Sequence, residues 1–447
     1  MPAAPAPSRV VITGCGWVTP LGCRVDDVWR RLVAGDSAFG PVTRFPASSF
    51  ATNFAAEVRD FRLQDFLPAP GRHASAPIAT QFSLAAAAQA WEQSGLASWK
   101  KLVPRRFGAY LGSGEGTMDF ENFVATNLAA WNAEARSIDY RRWAAGALRT
   151  LSPERELEQQ PNLPGAHLAD VFGCRGPAFN CMTACAASTQ AIGEAYKLLQ
   201  RGDADVMFAG GSHSMIHALG MTGFIRLTAM SRRRDDPNSA ARPFDLTRDG
   251  FVMGEGAGML ILERLDHAQA RGATPLAEIC GFGSSADAYR ITDIQPEGKG
   301  AAAAMLQSLT EAGIDPSATG ADGRPHVHYI SAHGTGTKEN DSIETLAVKS
   351  VFGPLASRIP FSSVKSMMGH LIQAAGAVEL ITCIQAIRTG IVPPTINLRT
   401  PDPQCDLDYV PNTARDLNPV GGVETCMSNS FGFGGQNDTI VVRRFRP

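Results

Sequence analysis

The feature that most restricts how this chain can fold is an alternation of short apolar runs, each of strand length, with alanine-rich stretches of helical spacing. "RVVITGCGWVTPLG" opens with a β-branched strand and a glycine turn, and "FGAYLGSG" (107–114), "DVMFAGGS" (205–212), "GMLILER" (258–264) and "VHYISAHG" (327–334) follow it. Strands separated by helices pack as layers, so the alternation predicts an α/β architecture. Two segments, "ACAASTQAIGEAYKLLQRGDADV" and "GHLIQAAGAVELITCIQAIRTGIVP", each lead a reactive type of residue into a small-residue helix ending near Arg and Gly. Their apolar faces are Ala191, Ile192, Ala195, Leu198 and Leu199 in the first and Ala377, Val378, Ile381 and Ile384 in the second. The correspondence predicts an internal duplication. Residues 115–170 are less regular, with mixed charge and "EQQPNLPG", and read as an insertion on the surface or over a site.

At 447 residues the chain buries a sizeable core and has room for two or three domains or one large duplicated one. Its net charge of -2 excludes a global basic footprint for nucleic acid. No apolar run reaches the roughly 18 residues that span a bilayer, and "MPAAPAPSRVVITG" lacks the basic and apolar regions of a secretion signal, so a cytoplasmic location is expected. The nine cysteines are scattered, odd in number and without a repeated CxxC, which argues against a disulfide framework and a zinc site.

One cysteine stands apart. "MTAC" ends a strand and the next helix is predicted to begin near Ala186, which puts Cys185 where unpaired backbone N–H groups and the positive helix end favour an anion. An ordinary thiol titrates near about 8.5, and such a setting lowers it, giving a nucleophile at neutral pH. In "SAHGTGTKENDSIE" (331–344) His333 follows an apolar strand amid small residues, and in "VKSMMGHLIQAAGAVE" (364–379) His370 meets a helix start. Two histidines so placed outline a pocket that admits a substrate. "HVHYISAH" lacks HxxxH with a carboxylate, and Cys174, Cys181 and Cys185 lack a CxxC hook, so no metal is expected. The glycines of "SNSFGFGGQND" allow a backbone N–H to be aimed at a developing oxyanion. No Lys-Ser/Thr follows them, which leaves a phosphate loop without support.

Together "TACAAS", "AHGTGT", "VKSMMGHLIQAAGAVE" and "NSFGFGGQN", with "RPFDLTRDGFVMGEGAGMLILE" (242–263) and "PPTINLRTPDP" (393–403), resemble the elongating, type II β-ketoacyl-acyl-carrier-protein synthases of the thiolase superfamily. The resemblance covers nearly the whole chain in the family's order. It implies a thiolase fold, two duplicated αβ halves in five α-β-α-β-α layers, with residues 1–275 carrying the nucleophile and 276–447 the histidines and a gate loop. It implies a Cys185, His333, His370 triad, Lys365 as the accompanying lysine, Phe433 as the gate, and an oxyanion hole of the Cys185 and Phe433 N–H groups. Thr335, Thr337, Glu115 and Thr292 fall at substrate-binding positions; Lys365 and Glu344 are expected to orient the histidines, and "TRDGFVMGEGAG" to be an ion-pair and turn element.

The activity so implied is decarboxylative condensation of an acyl group on Cys185 with malonyl-carrier protein. Substrates ride on the carrier's phosphopantetheine, with no other cofactor. Arg232, Arg233 and Arg234 of "SRRRDDP" form a basic patch that reads either as a contact for an acidic carrier protein or as a solvated loop. A homodimer, or a heterodimer with a chain-length-factor-like subunit, is expected, without nucleic acid or membrane. A purely non-catalytic partner typically lacks the cysteine that this chain keeps. Thiolases and priming ketosynthases are competing readings; the latter use Cys-His-Asn, where this chain supplies His370. Two departures bear on the substrate: the stretch from Glu115 to Cys185 is longer than in the family, with Glu115 where relatives place an apolar residue, and Arg290 stands where they often carry histidine.

Overall fold

The computed structural model describes residues 7–114 and 119–447. Five strands, β1 (Val10–Val18), β2 (Phe107–Gly112), β3 (Ala178–Cys181), β4 (Val206–His213) and β5 (Gly256–Arg264), come from the first part of the chain. Five more, β6 (Ala277–Ala286), β7 (Tyr329–Ser331), β8 (Phe361–Ser362), β9 (Thr425–Gly432) and β10 (Gln436–Arg443), come from the second. All ten form one sheet in the order β8-β7-β9-β10-β6-β1-β5-β4-β2-β3. From the centre outward each half runs through two antiparallel pairings and then two parallel ones. The halves are joined where β1 pairs antiparallel with β6, Val11 opposite Glu278. The expected duplication is therefore present strand for strand.

The helices repeat the pattern. Helix α1 (Ile78–Ser94) packs on β1 and β5, and α3 (Lys299–Glu311) packs on β6 and β10. Both approaches are so close that the strand must be glycine at alternate positions. A Cβ on Gly14 or Gly16 would lie 2.0 or 2.1 Å from the carbonyl oxygens of Ala90 and Ala86; on Gly281 or Gly283 it would lie 1.9 Å from those of Ser308 and Ala304. Between the half-sheets lie α2 (Ala187–Gln200) and α5 (Ala375–Thr389), which pack on each other and on strands of both halves. With α4 (Lys338–Phe352) beside α3, this gives the five expected layers.

Burial in the middle layer exceeds what a one-sided helical face implies. In α2 Leu198 is half-buried and the other four residues of the predicted face are buried. In α5 every residue from Ala375 to Ile387 is buried, including Glu379, because sheets cover it on both sides. Fully burying Ile381 or Ile384 contributes roughly 1.5–3 kcal/mol each. The region read as an insertion is a surface excursion. Helices Phe120–Ala130 and Tyr140–Thr150 pack on each other across a small hairpin, with Leu128, Tyr140 and Leu148 exposed. The chain returns through helix Leu163–Phe172, which docks on α1. Glu115 lies outside the described residues.

The stretch "TRDGFVMGEGAG" is held by ion pairs, as expected: buried Arg248 reaches Asp402 at 2.5 Å and Asp341 at 3.6 Å, and Arg242 reaches Asp249 at 2.9 Å. Among the described residues no helix is long and apolar enough to cross a membrane.

Candidate active site

After β3 the chain makes a 3-10 turn, Ala184–Ala186, that runs straight into α2. Ala184 is held at φ +48°, and Cys185 follows it, 3% exposed at the helix start. The second half makes the same move: a 3-10 turn, Ile372–Ala374, with Ile372 at φ +41°, runs into α5 just after His370. His333 lies two residues past β7. The two turns pack on each other, and the Cys185 sulfur and one nitrogen of each imidazole all lie within 4.8 Å of one another.

Hydrogen bonds set the tautomers. The Ile372 N–H donates to His370 Nδ1 at 3.3 Å, so the neutral ring carries its proton on Nε2, which is buried with no partner. Lys365 Nζ lies 3.4 Å from His333 Nδ1 and donates to the His333 carbonyl at 2.5 Å, leaving the His333 proton on Nε2 as well. Burial, then the Lys365 charge, hold both rings well below the usual histidine range, so both are neutral at physiological pH. The pocket thus receives two N–H donors.

The thiol departs from expectation. The helix begins where predicted, but burial outweighs its end and pushes Cys185 up to about 12, against the pull of the Lys365 charge and the N–H groups of Phe433 and Cys185 itself. The resting group is a thiol rather than a thiolate. Both of those N–H groups face the sulfur, and Gly432 sits so close that a Cβ there would lie 2.7 Å from the Thr183 carbonyl oxygen. Two imidazole donors, two amide donors and an ammonium around one sulfur suit an oxygen anion; a metal cation would face the Lys365 charge.

Comparison with known proteins gives the family. The description "Beta-ketoacyl synthase, N-terminal domain" matches residues 7–268, and "Beta-ketoacyl synthase, C-terminal domain" matches residues 276–399. The chain belongs to the β-ketoacyl synthase family. It is 42% identical to a 3-oxoacyl-[acyl-carrier-protein] synthase 2 of Coxiella burnetii over 98% of both chains. A β-ketoacyl synthase from Burkholderia phymatum STM815 superposes with a TM-score of 0.85 at 33% identity, covering 98% of this chain and all of that one. The ishigamide ketosynthase/chain length factor superposes with a TM-score of 0.82 at 32% identity, covering 99% of this chain and 100% of that one.

Around the triad this β-ketoacyl synthase builds a buried polar frame. Glu344 accepts the backbone N–H groups of His333 at 2.9 Å and Gly334 at 2.8 Å and the amide of Asn429 at 3.2 Å, while burial pushes its carboxyl up to about 7. Lys365 pairs with Glu379, also pushed up to about 7 by burial. Glu379 was missed by sequence reasoning: its partner lies 14 residues away, and "GAVEL" alone reads as the solvent face of a helix. Thr335 and Thr337 share a 3.0 Å contact just beyond His333, Thr335 buried and Thr337 at the start of α4. Thr292 is not brought to this group; it is exposed, as is Arg290, which pairs with Asp293 at 2.9 Å. Arg232 and Arg234 are exposed and Arg233 is half-buried.

Proposed function

We propose that this chain joins an acyl group held on Cys185 to malonyl-acyl-carrier-protein, releasing carbon dioxide and 3-ketoacyl-acyl-carrier-protein. The observation that carries this reading is the Cys185 sulfur flanked by two amide N–H groups and two imidazole Nε2–H groups. In the first step the sulfur attacks the thioester carbonyl and the carbonyl oxygen draws on the Cys185 and Phe433 N–H groups. The carbon–sulfur bond to the phosphopantetheine arm breaks, and the arm's sulfur takes the proton that Cys185 loses. Thiol–thioester exchange conserves protons, so a protonated resting thiol is no obstacle.

In the second step the malonyl carboxylate leaves as carbon dioxide and its electron pair forms an enolate, whose oxygen accepts from His333 and His370 Nε2–H. Neutral rings with Nε2 protonated are the form this step needs. The enolate carbon then attacks the Cys185 thioester, and the released sulfur is reprotonated from water. Holding both acyl groups in one pocket makes carbon–carbon bond formation effectively intramolecular. The acyl chain lies along the apolar cluster of Cys185, Ile216, Met221 and Phe251, which Met215 and Phe224 extend to a cavity of about 830 Å³.

The reaction is redox-neutral, so phosphopantetheine on the carrier suffices and no further cofactor is required. Exposed Arg232 and Arg234 offer that carrier a basic edge. We place the protein in the cytoplasm, in keeping with nine free cysteines. It works as a dimer; the likeness to a ketosynthase/chain length factor favours, as a second reading, the active half of such a pair. Intact-protein mass after incubation with acyl-carrier thioesters tests the nucleophile. One acyl mass is expected on the wild type and none on Cys185→Ala; an adduct retained in the variant would sink the assignment.

A further inference from the structure

The turns ahead of α2 and α5 occupy equivalent places in the duplicated fold. Gln373 stands in the second where Cys185 stands in the first. His213 ends β4 as Gly432 ends β9, two strands of equal length paired to their neighbours in the same way. Gly432 leaves room for the turn of the thiol, whereas His213 bonds to the turn it faces. Its Nδ1 contacts Gln373 Oε1, an oxygen that can only accept, so the imidazole proton sits on Nδ1. His213 is 3% exposed, and burial pushes it down to about 4, which keeps the ring neutral.

That bond anchors the turn on which His370 depends. The His370 backbone is fixed by the segment before it in space: its N–H donates to the Val252 carbonyl at 2.7 Å and its carbonyl accepts from the Gly254 N–H at 2.9 Å. The ring lies edge to face with Phe251 and His333, centroids 5.3 and 5.4 Å away. Those contacts confine the imidazole and are blind to which nitrogen carries its proton. Among the described residues the group that makes the distinction is the Ile372 N–H, 3.3 Å from Nδ1. Its direction follows from Ile372 at φ +41°, a conformation that a β-branched residue keeps only where its surroundings impose it. Gln373, the next residue, supplies the restraint. Its amide is held by His213 and fits against Gly114, where a Cβ would lie 2.2 Å from Gln373 Nε2. Its carbonyl seats on β4 at Gly211, where a Cβ would lie 2.8 Å from the oxygen. His213 also lies near enough for its charge to bear on His370.

We propose that His213 and Gln373 are positioning residues for decarboxylation: by locking the turn Ile372–Ala374 they keep the Ile372 N–H on His370 Nδ1, and so keep the Nε2 proton aimed at the enolate oxygen. The inference rests on the condensing reading above and adds to it two residues that act through His370. Acylation of Cys185 draws instead on the Cys185 and Phe433 N–H groups. The pair therefore bears on one half-reaction and not on the other.

The test measures both half-reactions in the full-length protein: carbon dioxide release from malonyl-carrier protein, and single-turnover acylation of Cys185 by an acyl-carrier thioester, read by intact mass. His213→Leu fills the space without the donor. It is expected to lower kcat for decarboxylation roughly tenfold, about the worth of one hydrogen bond, with KM and the acylation rate unchanged. His213→Asn, whose amide nitrogen stands where Nδ1 stood, is expected to recover most of that loss. Should His213→Leu fail to fold, Gln373→Leu removes the same bond from the other side and carries the same expectation. Decarboxylation at the wild-type rate in the leucine variants, an equal fall in both half-reactions, or no recovery in His213→Asn would overturn the proposal and leave the condensing reading standing. Absence of both half-reactions in the wild type would overturn both.

Discussion

The turn Ala184–Ala186 ahead of α2 and the turn Ile372–Ala374 ahead of α5 share a 3-10 conformation, a non-glycine first residue at positive φ and a direct run into a buried helix. One carries Cys185 at its second position and the other carries Gln373. A non-glycine residue in the left-handed region costs on the order of 1–3 kcal/mol, and such strain is commonly associated with a nucleophile. Here it occurs equally where there is none. Strain belongs to the duplicated scaffold, and the two copies differ in the side chains that surround them. Those side chains are unevenly shared: the first half supplies the thiol, and the second supplies both histidines, Lys365, Glu344 and Glu379.

The sharpest way to break this comparison is to remove the asymmetry. His333→Ala and His370→Ala are each expected to lower malonyl decarboxylation by about 100- to 1000-fold, the usual loss for one donor to a developing oxyanion. Carbon dioxide release from malonyl-carrier protein measures it. A rate unchanged in both variants would show that the second half's histidines are scaffold, like the turn that follows them.

A smaller effect tests the symmetry itself. Gly16→Ala and Gly283→Ala put a methyl against a helix carbonyl at matching places in the two halves, so each is expected to destabilise by about 1–3 kcal/mol. Denaturant unfolding of the two variants should show comparable losses. Tolerance at one site alone would mean that the halves no longer pack alike.

A further effect is electrostatic. Asp438 on β10 is buried, and burial pushes it up to about 7 from a usual carboxylate value, with a hydrogen bond from Ser284 opposing the rise and the Glu194 charge adding to it. A carboxyl raised in the folded state stabilises fully below its unfolded pKa, and that contribution is lost as pH rises through the folded value. Stability should therefore fall between pH about 4 and about 7. Asp438→Asn should flatten that fall in melting temperature; an unchanged slope would place the pH response elsewhere.

Much of this was legible in the chain. Strand and helix alternation gave the layers, and the pair of reactive residues leading into small-residue helices announced the duplication. Cys185, His333 and His370 were marked by the small residues around them, which a pocket requires. Depth was not legible. The helix start at Cys185 was read correctly, yet the direction of its pKa was not, because burial is set by sheets from both halves that no local stretch reveals. The same holds for α5, whose amphipathic-looking pattern conceals burial on every side, and for Glu379, whose partner is Lys365. His213 and Gln373 are 160 residues apart, and nothing in "GGSHS" or "HLIQA" signals that they meet.

The antiparallel ladder between β1 and β6 makes one sheet of the two halves. Lobes joined in that way cannot swing apart like jaws without breaking strand hydrogen bonds. At the site, exposed Phe433 is followed by Gly434 at φ +90° and Gly435 at φ +74°. Loop motions of this size run on nanoseconds to microseconds, against microseconds to milliseconds for lobe closure. The seam thus makes one mechanical body of the two halves and leaves the faster motions to its loops.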